Sequence, residues 1–443
     1  MSGLRRGFMK NWFAVEALPI YAVVGIVVAG GSWYLTRLAR GPTIVWTKEN
    51  PTPWNDIKPN EGTKLVTVNQ HFDKGLIFGA AAFSAQYNED THLASDVPVR
   101  TVRAALRYGI NAFDTSAYYG PSEIVLGKAL RAVQSEFPRQ SYLLVNAPNF
   151  FSSMEGPILM ISQMTKCGRY GLNQSDFDYS PATIRRSVER SLKRLYDTDI
   201  LEDGQYLDVV YLHDIEFVCE QVQPPDAHYH ALALTPEKAA EYGLAESDKA
   251  RIRGPGDQVI LDAVAELQKL KSEGKVRNIG ITGYPLHTLL RVAILVHHKL
   301  RQPLDVVLSY SHLNIQNDTF GHFLPEFKAE SRANVAQVIA ASPLNMGLLT
   351  PRVFPWHPAP DELKALAQNA IALSAQNGDG SSIVDVALGY SYRRSREMGV
   401  PMVVGLSQLH EVHQTVKAWR RSVLEDIVRE SFGSFKDWSW ASP

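Results

Sequence analysis

Residues 180–213 read SPATIRRSVERSLKRLYDTDILEDGQYLDVVYLH and contain a helix followed by a strand. Ser180 is placed to cap the helix, and Pro181 suits its first position. One apolar stripe runs along the helix and consists of Ile184, Val188, Leu192 and Leu195. The apolar run at 207–213 then predicts a buried strand that ends on polar residues. This segment predicts one repeat of a parallel sheet in which strands and helices alternate.

The same alternation extends from residue 76 to residue 406, with roughly eight repeats. A second helix with the same kind of apolar stripe is predicted at 257–271. The predicted strands are 76–83, 111–115, one near 141–166, 207–213, 277–282, 305–311, 335–342 and 401–406. Eight such repeats predict an α/β fold, a (β/α)8 TIM barrel.

The third strand has two alternative placements. Tyr142-Leu143-Leu144-Val145 reads as a strand, yet Lys166 follows it only after a long interval. One hypothesis is an extra segment at 146–162, from an unspliced gene region, which when looped out would leave Lys166 displaced. The other, which we favour, makes 157–164 the third strand, because this run is β-capable and ends at Lys166.

The chain begins with a segment of different character. Residues 17–36 carry no charged side chain, and at about 1.5 Å per residue they span roughly the 30 Å of a hydrocarbon core. A cleaved signal peptide would have a shorter apolar part, and a helix packed on the enzyme would be apolar on one stripe only. We therefore predict a single transmembrane helix, with residues 1–74 as membrane segment and linker and residues 75–443 as the barrel. Basic residues flank both ends and leave the orientation open.

Composition argues against several classes of function. The net charge of -1 comes without a clustered basic surface, so no nucleic acid partner is expected. Cys167 and Cys219 are the only cysteines, which argues against a disulfide framework or a thiolate metal site. A polar excursion is predicted at 224–256, where His228 and His230 are expected to be exposed to solvent and not to bind metal.

Polar residues interrupt three of the predicted strands at their carboxyl ends, where barrels of this type carry their chemistry. The second strand ends in Phe113-Asp114-Thr115-Ser116-Ala117-Tyr118-Tyr119-Gly120, the third in Thr165-Lys166-Cys167-Gly168 and the fourth in Tyr211-Leu212-His213-Asp214. An acid, a phenol, an amine and an imidazole are therefore expected at one mouth. The predicted catalytic residues are Asp114, Tyr119, Lys166 and His213.

These motifs, together with Ser-Pro-Leu-x-x-Gly-Leu-Leu-Thr at 342–350, resemble the aldo-keto reductase family over nearly all of 76–420. The resemblance implies hydride transfer with a nicotinamide cofactor, with Tyr119 exchanging the hydroxyl proton and His213 orienting the substrate oxygen. A free phenol has a pKa near 10, so we expect Lys166 to stabilise the phenolate and Asp114 to hold Lys166.

The resemblance also implies a cofactor side. Its predicted residues are Thr282, Gly283, Ser342, Leu344, Gly405 and Ser407. Ala341 stands where many relatives have a tyrosine that stacks on nicotinamide, so the ring must be held in another way. The end of the eighth strand lacks the basic residues that NADP-preferring relatives use, and Glu411 would repel a 2'-phosphate. We predict NAD over NADP.

Two finer resemblances complete the prediction. The segments 76–79, 86–88 and 305–310 resemble aldose 1-dehydrogenases, including fungal D-arabinose dehydrogenase and plant L-galactose dehydrogenase, which implies oxidation of an aldose to a lactone with Tyr119 as base. Residues 1–74 resemble the MLRQ-type subunit of respiratory complexes, through Asn11-Trp12-Phe13-Ala14-Val15-Glu16 and Pro53-Trp54-Asn55. This implies the mitochondrial inner membrane and a respiratory complex as partner.

The combined prediction is a membrane-tethered, NAD-linked sugar dehydrogenase. It would be cytosolic if the N-terminal segment is not part of the native product. Two alternatives remain open at this point. The respiratory-subunit-like segment could be the working part beside an inactive barrel, or the barrel could be a nicotinamide-binding sensor.

Overall fold

The computed structural model describes Val24, Val28, Ser32 and the ranges 75–139, 162–223, 228–351, 356–376, 382–419 and 432–439. The chain divides into two compact units, Met1–Val68 and Asn69–Pro443. In the first unit the three described residues are helical and exposed. The rest of the predicted membrane span at 17–36 lies outside the described residues. Among the residues that are described, no helix combines the length and apolar character needed to cross a bilayer.

The second unit is built on a closed barrel of eight parallel strands in sequence order. Each strand pairs with the next, and the eighth pairs with the first through Leu76↔Met402 and Gly79↔Gly405. The predicted α/β barrel is thereby confirmed. Seven predicted strands are present within a few residues of their expected bounds, and the third, predicted only as near 141–166, lies at the end of that range. The strands are β1 Leu76–Gly79, β2 Ala112–Asp114, β3 Ser162–Cys167, β4 Leu207–Leu212, β5 Val276–Gly283, β6 Val306–Tyr310, β7 Gln337–Ala341 and β8 Met402–Gly405.

Ten α-helices lie within the described residues of the second unit. They are α1 Asp90–Leu93, α2 Val97–Arg107, α3 Ser122–Ala132, α4 Pro181–Leu195, α5 Pro255–Ser272, α6 Leu286–Leu300, α7 Phe320–Lys328, α8 Asp361–Gln376, α9 Ile383–Met398 and α10 Leu409–Trp419. The helices predicted from apolar stripes are α4 and α5. The expected side-chain cap by Ser180 is not formed. Instead Asp178 accepts the Ser180 backbone N–H at 2.9 Å and the Thr183 hydroxyl at 2.7 Å.

Side chains of alternate strand residues fill the barrel interior, as the two-residue period of a strand requires. The interior cluster is apolar up to the carboxyl ends of the strands and consists of Ile77, Ala112, Met164, Val209, Tyr211, Val306, Leu308, Ile339, Ala341 and Val403. The opposite strand faces pack against the helices in a second, larger cluster. Polar residues that follow the strands are therefore the ones left to face the mouth.

Strand β3 places Lys166 in register. Met164 pairs with Asp114 of β2, and Lys166 pairs with Tyr211 of β4. The displacement of Lys166 implied by a looped-out segment is therefore not found. Residues 162–164 of the favoured strand lie in β3, which continues through Lys166 to Cys167. Residues 142–145 and 157–161 lie outside the described part of the chain.

The excursion after β4 differs from expectation at His230. This residue was expected to be exposed, but it is buried and its ring lies 4.9 Å from His287 and 4.8 Å from His312, centre to centre. The partners come from α6 and from the loop after β6. Contacts between segments so far apart in sequence leave no local signal, which is why the pattern of the loop alone was misleading.

Candidate active site

A cavity of about 870 Å³ opens at the carboxyl ends of the strands. Residues that end or follow strands β1 to β8 line it, including all four predicted catalytic residues. The chain therefore brings Asp114, Tyr119, Lys166 and His213 together in one mouth, as the rule on strand ends predicted.

Asp114 and Lys166 form a buried ion pair at the base of this cavity. Lys166 Nζ donates to Asp114 Oδ2 at 2.5 Å and to the carbonyl of Thr115 at 2.8 Å. Burial raises the pKa of Asp114 above its usual range, and the charge of Lys166 opposes that rise. Asp114 Oδ1 accepts no hydrogen bond. The predicted pairing of these two side chains is present in the structure.

Tyr119 lies between the ion pair and His213. Lys166 Nζ is 4.9 Å from the centre of the Tyr119 ring, and the ring packs edge-on against His213 with centres 5.6 Å apart. Burial raises the pKa of the phenol well above 10.0, and the charges of Asp114 and Asp214 raise it further. We expected Lys166 to lower this pKa. In the structure Lys166 is paired with Asp114, and burial is the largest influence on the pKa of the phenol.

His213 follows β4 and is fixed on both sides. Its Nδ1 contacts Ser116 Oγ at 3.0 Å, and Ser116 Oγ accepts the backbone N–H of Tyr118 at 3.1 Å. The serine proton is thus free to point at Nδ1, which favours the tautomer with the ring proton on Nε2. Burial, then the charges of Lys166 and Arg169, lower the pKa of His213 well below 6.5, so the ring is neutral at physiological pH.

The main chain at His213 is supported by Tyr179, whose hydroxyl donates to the His213 carbonyl. The Tyr179 ring packs against Gly168, where an added Cβ would lie 2.7 Å from two ring carbons. Gly168 also has a φ of +99°, which favours glycine. The turn after β3 therefore helps to fix the position of the His213 imidazole.

Sequence reasoning missed a second buried ion pair in the cavity. Arg169 Nη1 donates to Asp214 Oδ2 at 2.5 Å, and Arg169 Nη2 donates to the hydroxyl of Tyr118 at 3.3 Å. The guanidinium lies 4.1 Å from the centre of the Tyr118 ring. Arg169 and Asp214 follow β3 and β4 directly, so the strand-end rule that selected Lys166 and His213 could also have found them.

The structure places five of the six predicted cofactor residues at the cavity. Five of them line the cavity, namely Thr282, Ser342, Leu344, Gly405 and Ser407. Gly283 does not. A carboxylate oxygen of Glu216 lies where a Gly283 Cβ would be, and the other accepts the Tyr284 N–H at 2.9 Å. Because successive residues of a strand face opposite ways, Thr282 and Gly283 were not both able to face the mouth.

Glu411 occupies the start of α10 at the far side of the cavity. Its Oε2 accepts the backbone N–H groups of Ser407 at 2.6 Å and Gln408 at 2.9 Å. Near Ala341, the side chain of Tyr310 lines the cavity from the neighbouring position on β6, since Tyr310 pairs with Ala341. An aromatic ring is therefore present beside the position at which the family tyrosine is missing.

Residues 432–439, here called the strap, are connected to the cavity loop after β7 by hydrogen bonds of Gln316. Gln316 Nε2 donates to the carbonyls of Phe435 at 2.5 Å and Trp438 at 3.1 Å, and Gln316 Oε1 accepts from Asn345 Nδ2 at 2.8 Å. Asn345 and Met346 both have left-handed backbone, with φ of 52° and 54°. Hydrogen bonds of this kind hold a conformation that non-glycine residues disfavour.

Comparison with known proteins gives two matches in separate parts of the chain. The aldo/keto reductase family matches residues 75–431. The chain is 35% identical over 362 residues to L-galactose dehydrogenase of Arabidopsis thaliana, covering 81% of this chain and 86% of that protein. It is 32% identical over 342 residues to D-arabinose 1-dehydrogenase of Saccharomyces cerevisiae, covering 76% and 80%.

The second match lies at the start of the chain. Residues 12–63 match the family described as NADH-ubiquinone reductase complex 1 MLRQ subunit. Over 58 residues the chain is 36% identical to cytochrome c oxidase subunit NDUFA4 of Homo sapiens, covering 13% of this chain and 72% of that protein. Both resemblances noted in the sequence are confirmed.

Proposed function

The chain belongs to the aldo/keto reductase family, and from this premise we propose that it is a nicotinamide-dependent dehydrogenase that oxidises an aldose at C1 to a lactone. The observation that carries the proposal is the convergence of Tyr119, Lys166, Asp114 and His213 in one cavity at the barrel mouth. The two relatives named above are sugar dehydrogenases by name, which supports an aldose as substrate.

The residues present fit a nicotinamide cofactor beside a sugar. The cavity volume of about 870 Å³ lies in the upper part of the range of roughly 300–1,000 Å³ found for ligand sites. We assign Thr282 to the nicotinamide end, and Ser342, Leu344, Gly405 and Ser407 to the rest of the cofactor. When bound, oxidised nicotinamide accepts the hydride that leaves C1.

Residues of the chain itself carry out the proton transfer. In this proposal His213 donates its Nε2–H to the hydroxyl oxygen on C1 and orients it, and Tyr119 in its ionised form takes the hydroxyl proton. The C1–H bond breaks with its electron pair, and the C1–O bond becomes a carbonyl. Because burial raises the pKa of Tyr119, its ionised form grows with pH, and we expect kcat/KM for oxidation to rise from neutral to alkaline pH.

We further propose NAD over NADP. The carboxylate of Glu411 already occupies the backbone N–H groups of Ser407 and Gln408. The start of a helix ordinarily favours an anion such as a 2'-phosphate. Here the negative charge of Glu411 already lies at that position and would repel the phosphate. Equal kcat/KM with the two cofactors would refute this part of the proposal.

The experiment that tests the proposal is formation of reduced nicotinamide by the full chain, with NAD or NADP, against D-arabinose, L-galactose and other aldoses. Tyr119→Phe is expected to lower turnover by roughly 10²- to 10⁴-fold, the usual contribution of a positioned proton-transfer group. Tyr108→Phe is the matched control, because its hydroxyl bonds His413 on the exposed outside of the barrel. Turnover that survives in Tyr119→Phe would refute the assignment.

We propose that residues 1–74 form a membrane segment and linker that tethers the barrel, residues 75–443, to the mitochondrial inner membrane. The uncharged run at 17–36 and the match of residues 12–63 support this. Expressed in cells, the full chain should stay in the membrane fraction after alkaline carbonate extraction, whereas a chain lacking residues 1–68 should be released. Release of both would refute the tether without affecting the proposed chemistry.

A further inference from the structure

Arg169 and Asp214 form an ion pair that takes no part in the proton transfer described above. We propose that this pair binds the C2 hydroxyl of the sugar, next to the reacting carbon, and makes the site selective for 2-hydroxy aldoses of one configuration. The inference rests on the proposed function, because it takes C1 to be held at His213.

The position of Asp214 carries the first step of the argument. Its Oδ2 lies 3.4 Å from His213 Nε2, the atom assigned to hold the C1 oxygen. The next sugar oxygen beyond the C1 oxygen therefore comes to Asp214. It is either the ring oxygen, which is bonded to C1 itself, or the hydroxyl on the neighbouring carbon C2. A ring oxygen has no proton to donate to a carboxylate, so Asp214 favours the C2 hydroxyl.

The hydrogen-bonding capacity of the pair matches a hydroxyl. A hydroxyl donates one hydrogen bond and accepts others. Asp214 can accept, and its Oδ1 has no partner in the structure. Arg169 can donate, since its hydrogen bonds to Asp214, Tyr118 and Gly171 use three of the five N–H groups of a guanidinium. Both residues line the cavity.

The pair is held rigidly. The guanidinium of Arg169 lies 4.1 Å from the ring centre of Tyr118 and 5.3 Å from those of Phe177 and Phe217. Asp214 has left-handed backbone with a φ of 55°. Aromatic rings on several sides leave the guanidinium few alternative positions. A ligand hydroxyl would therefore meet a donor and an acceptor that are already in place.

The cost of the arrangement also points to a binding role. A buried ion pair is often no more stable than apolar residues of the same volume, and a left-handed non-glycine residue adds strain. Asp214 is 2% exposed and carries both features. A binding site that needs a charged hydrogen-bond acceptor at this position explains both the buried ion pair and the left-handed backbone.

The test compares three sugars that differ only at C2, namely D-arabinose, its C2 epimer D-ribose and the shared analogue 2-deoxy-D-ribose. The full chain should favour D-arabinose over the deoxy sugar by roughly 10- to 150-fold in kcat/KM, as expected for a hydrogen bond to a charged group. In Asp214→Asn this ratio should fall to a few-fold, because D-arabinose loses a hydrogen bond that the deoxy sugar does not make, while any effect on the reacting residues is common to both sugars and cancels in the ratio.

Two further variants complete the test: one changes the cation of the pair and the other is a control. Arg169→Lys keeps a cation beside Asp214 but loses the planar fork, and should narrow the ratio while the protein remains folded. Asp208→Asn is the matched control, since Asp208 is a buried aspartate of β4, the strand that precedes Asp214, and it pairs with Arg139 at 3.0 Å and does not line the cavity. Its ratio should equal that of the unchanged protein.

An equal loss of activity on D-arabinose and the deoxy sugar in Asp214→Asn would overturn the inference, because a purely structural role would affect both sugars alike. Calorimetric binding of the same sugars to the protein loaded with reduced nicotinamide, which cannot accept a hydride, gives the ratio without turnover. If no aldose is oxidised but the C2 preference in binding depends on Asp214, the proposed function fails and the inference stands. Equal binding of all three sugars overturns the inference.

Discussion

Replacing Lys166 by methionine would leave a charge buried without its partner. Asp114 is 4% exposed, its Oδ1 has no hydrogen bond, and Lys166 supplies the hydrogen bond to Oδ2. Breaking a buried pair in this way costs about 3–5 kcal/mol of the free energy of unfolding. The double variant Lys166→Met with Asp114→Asn removes the charge as well, and should recover about 2 kcal/mol of that loss.

The pH dependence of this loss has a definite sign. Burial raises the pKa of Asp114 and the charge of Lys166 opposes that rise, so the pKa rises further in Lys166→Met. A raised pKa means that the folded state binds its proton more tightly than the unfolded state, whose value is near 3.8. The loss should therefore be small at acid pH and should grow as pH rises through the raised pKa.

Urea denaturation followed by tryptophan fluorescence measures this effect, with each variant compared with the unchanged chain at about pH 5 and about pH 8. Taking differences at each pH cancels the titration of other groups. A cost below about 1 kcal/mol, or one that is equal at the two pH values, would refute the conclusion that Lys166 stabilises a buried ionised Asp114.

Three other outcomes are expected. Gly168→Ala should lower the free energy of unfolding by at least about 2 kcal/mol through strain and overpacking, and should also lower kcat/KM. Gly204→Ala is the control, because Gly204 has a φ of +85° and open space around its Cβ; it should cost about 1 kcal/mol of the free energy of unfolding and leave activity unchanged. Burial lowers the pKa of His287 and of His312 to about 3, so as pH falls from 6.5 the unfolded state takes up protons first, and denaturation at several pH values should show a loss of up to about 1.4 kcal/mol per pH unit for each histidine. Gln316→Leu should raise KM for the cofactor roughly tenfold in steady-state assays and leave kcat nearly unchanged, since it removes hydrogen bonds behind the cavity loop after β7; a fall in kcat alone would contradict this.

The barrel, and the convergence of Asp114, Tyr119, Lys166 and His213 in one cavity, were predictable because local signals agree with the topology. Short apolar runs end on Asp114, Lys166 and His213, and parallel strands bring their carboxyl ends to one mouth. Register then makes the ion pair, since Met164 lies opposite Asp114. The ambiguous start of the third strand did not prevent the prediction of Lys166, because the amine is positioned by the carboxyl end of the strand.

Other features depend on packing between distant segments. The pKa of Tyr119 follows from how deeply the ring is buried and from the partner that Lys166 takes, neither of which the motif specifies. His230 is buried by His287 and His312, which lie far along the chain. Gly283 is a different case, because the alternation of strand residues was visible in the sequence and excludes it once Thr282 faces the cavity.

The strap adds hydrogen bonds to a set of loops that follow three different strands. Its carbonyls bind Gln316 after β6, Gln316 binds Asn345 after β7, and the backbone N–H of Ser439 donates to the carbonyl of His228 after β4 at 2.9 Å. In native-state hydrogen exchange, amides of these three loops should therefore open together with one common free energy. The rim of the mouth would then behave as one cooperative unit, so that a ligand bound to one loop slows exchange in all three.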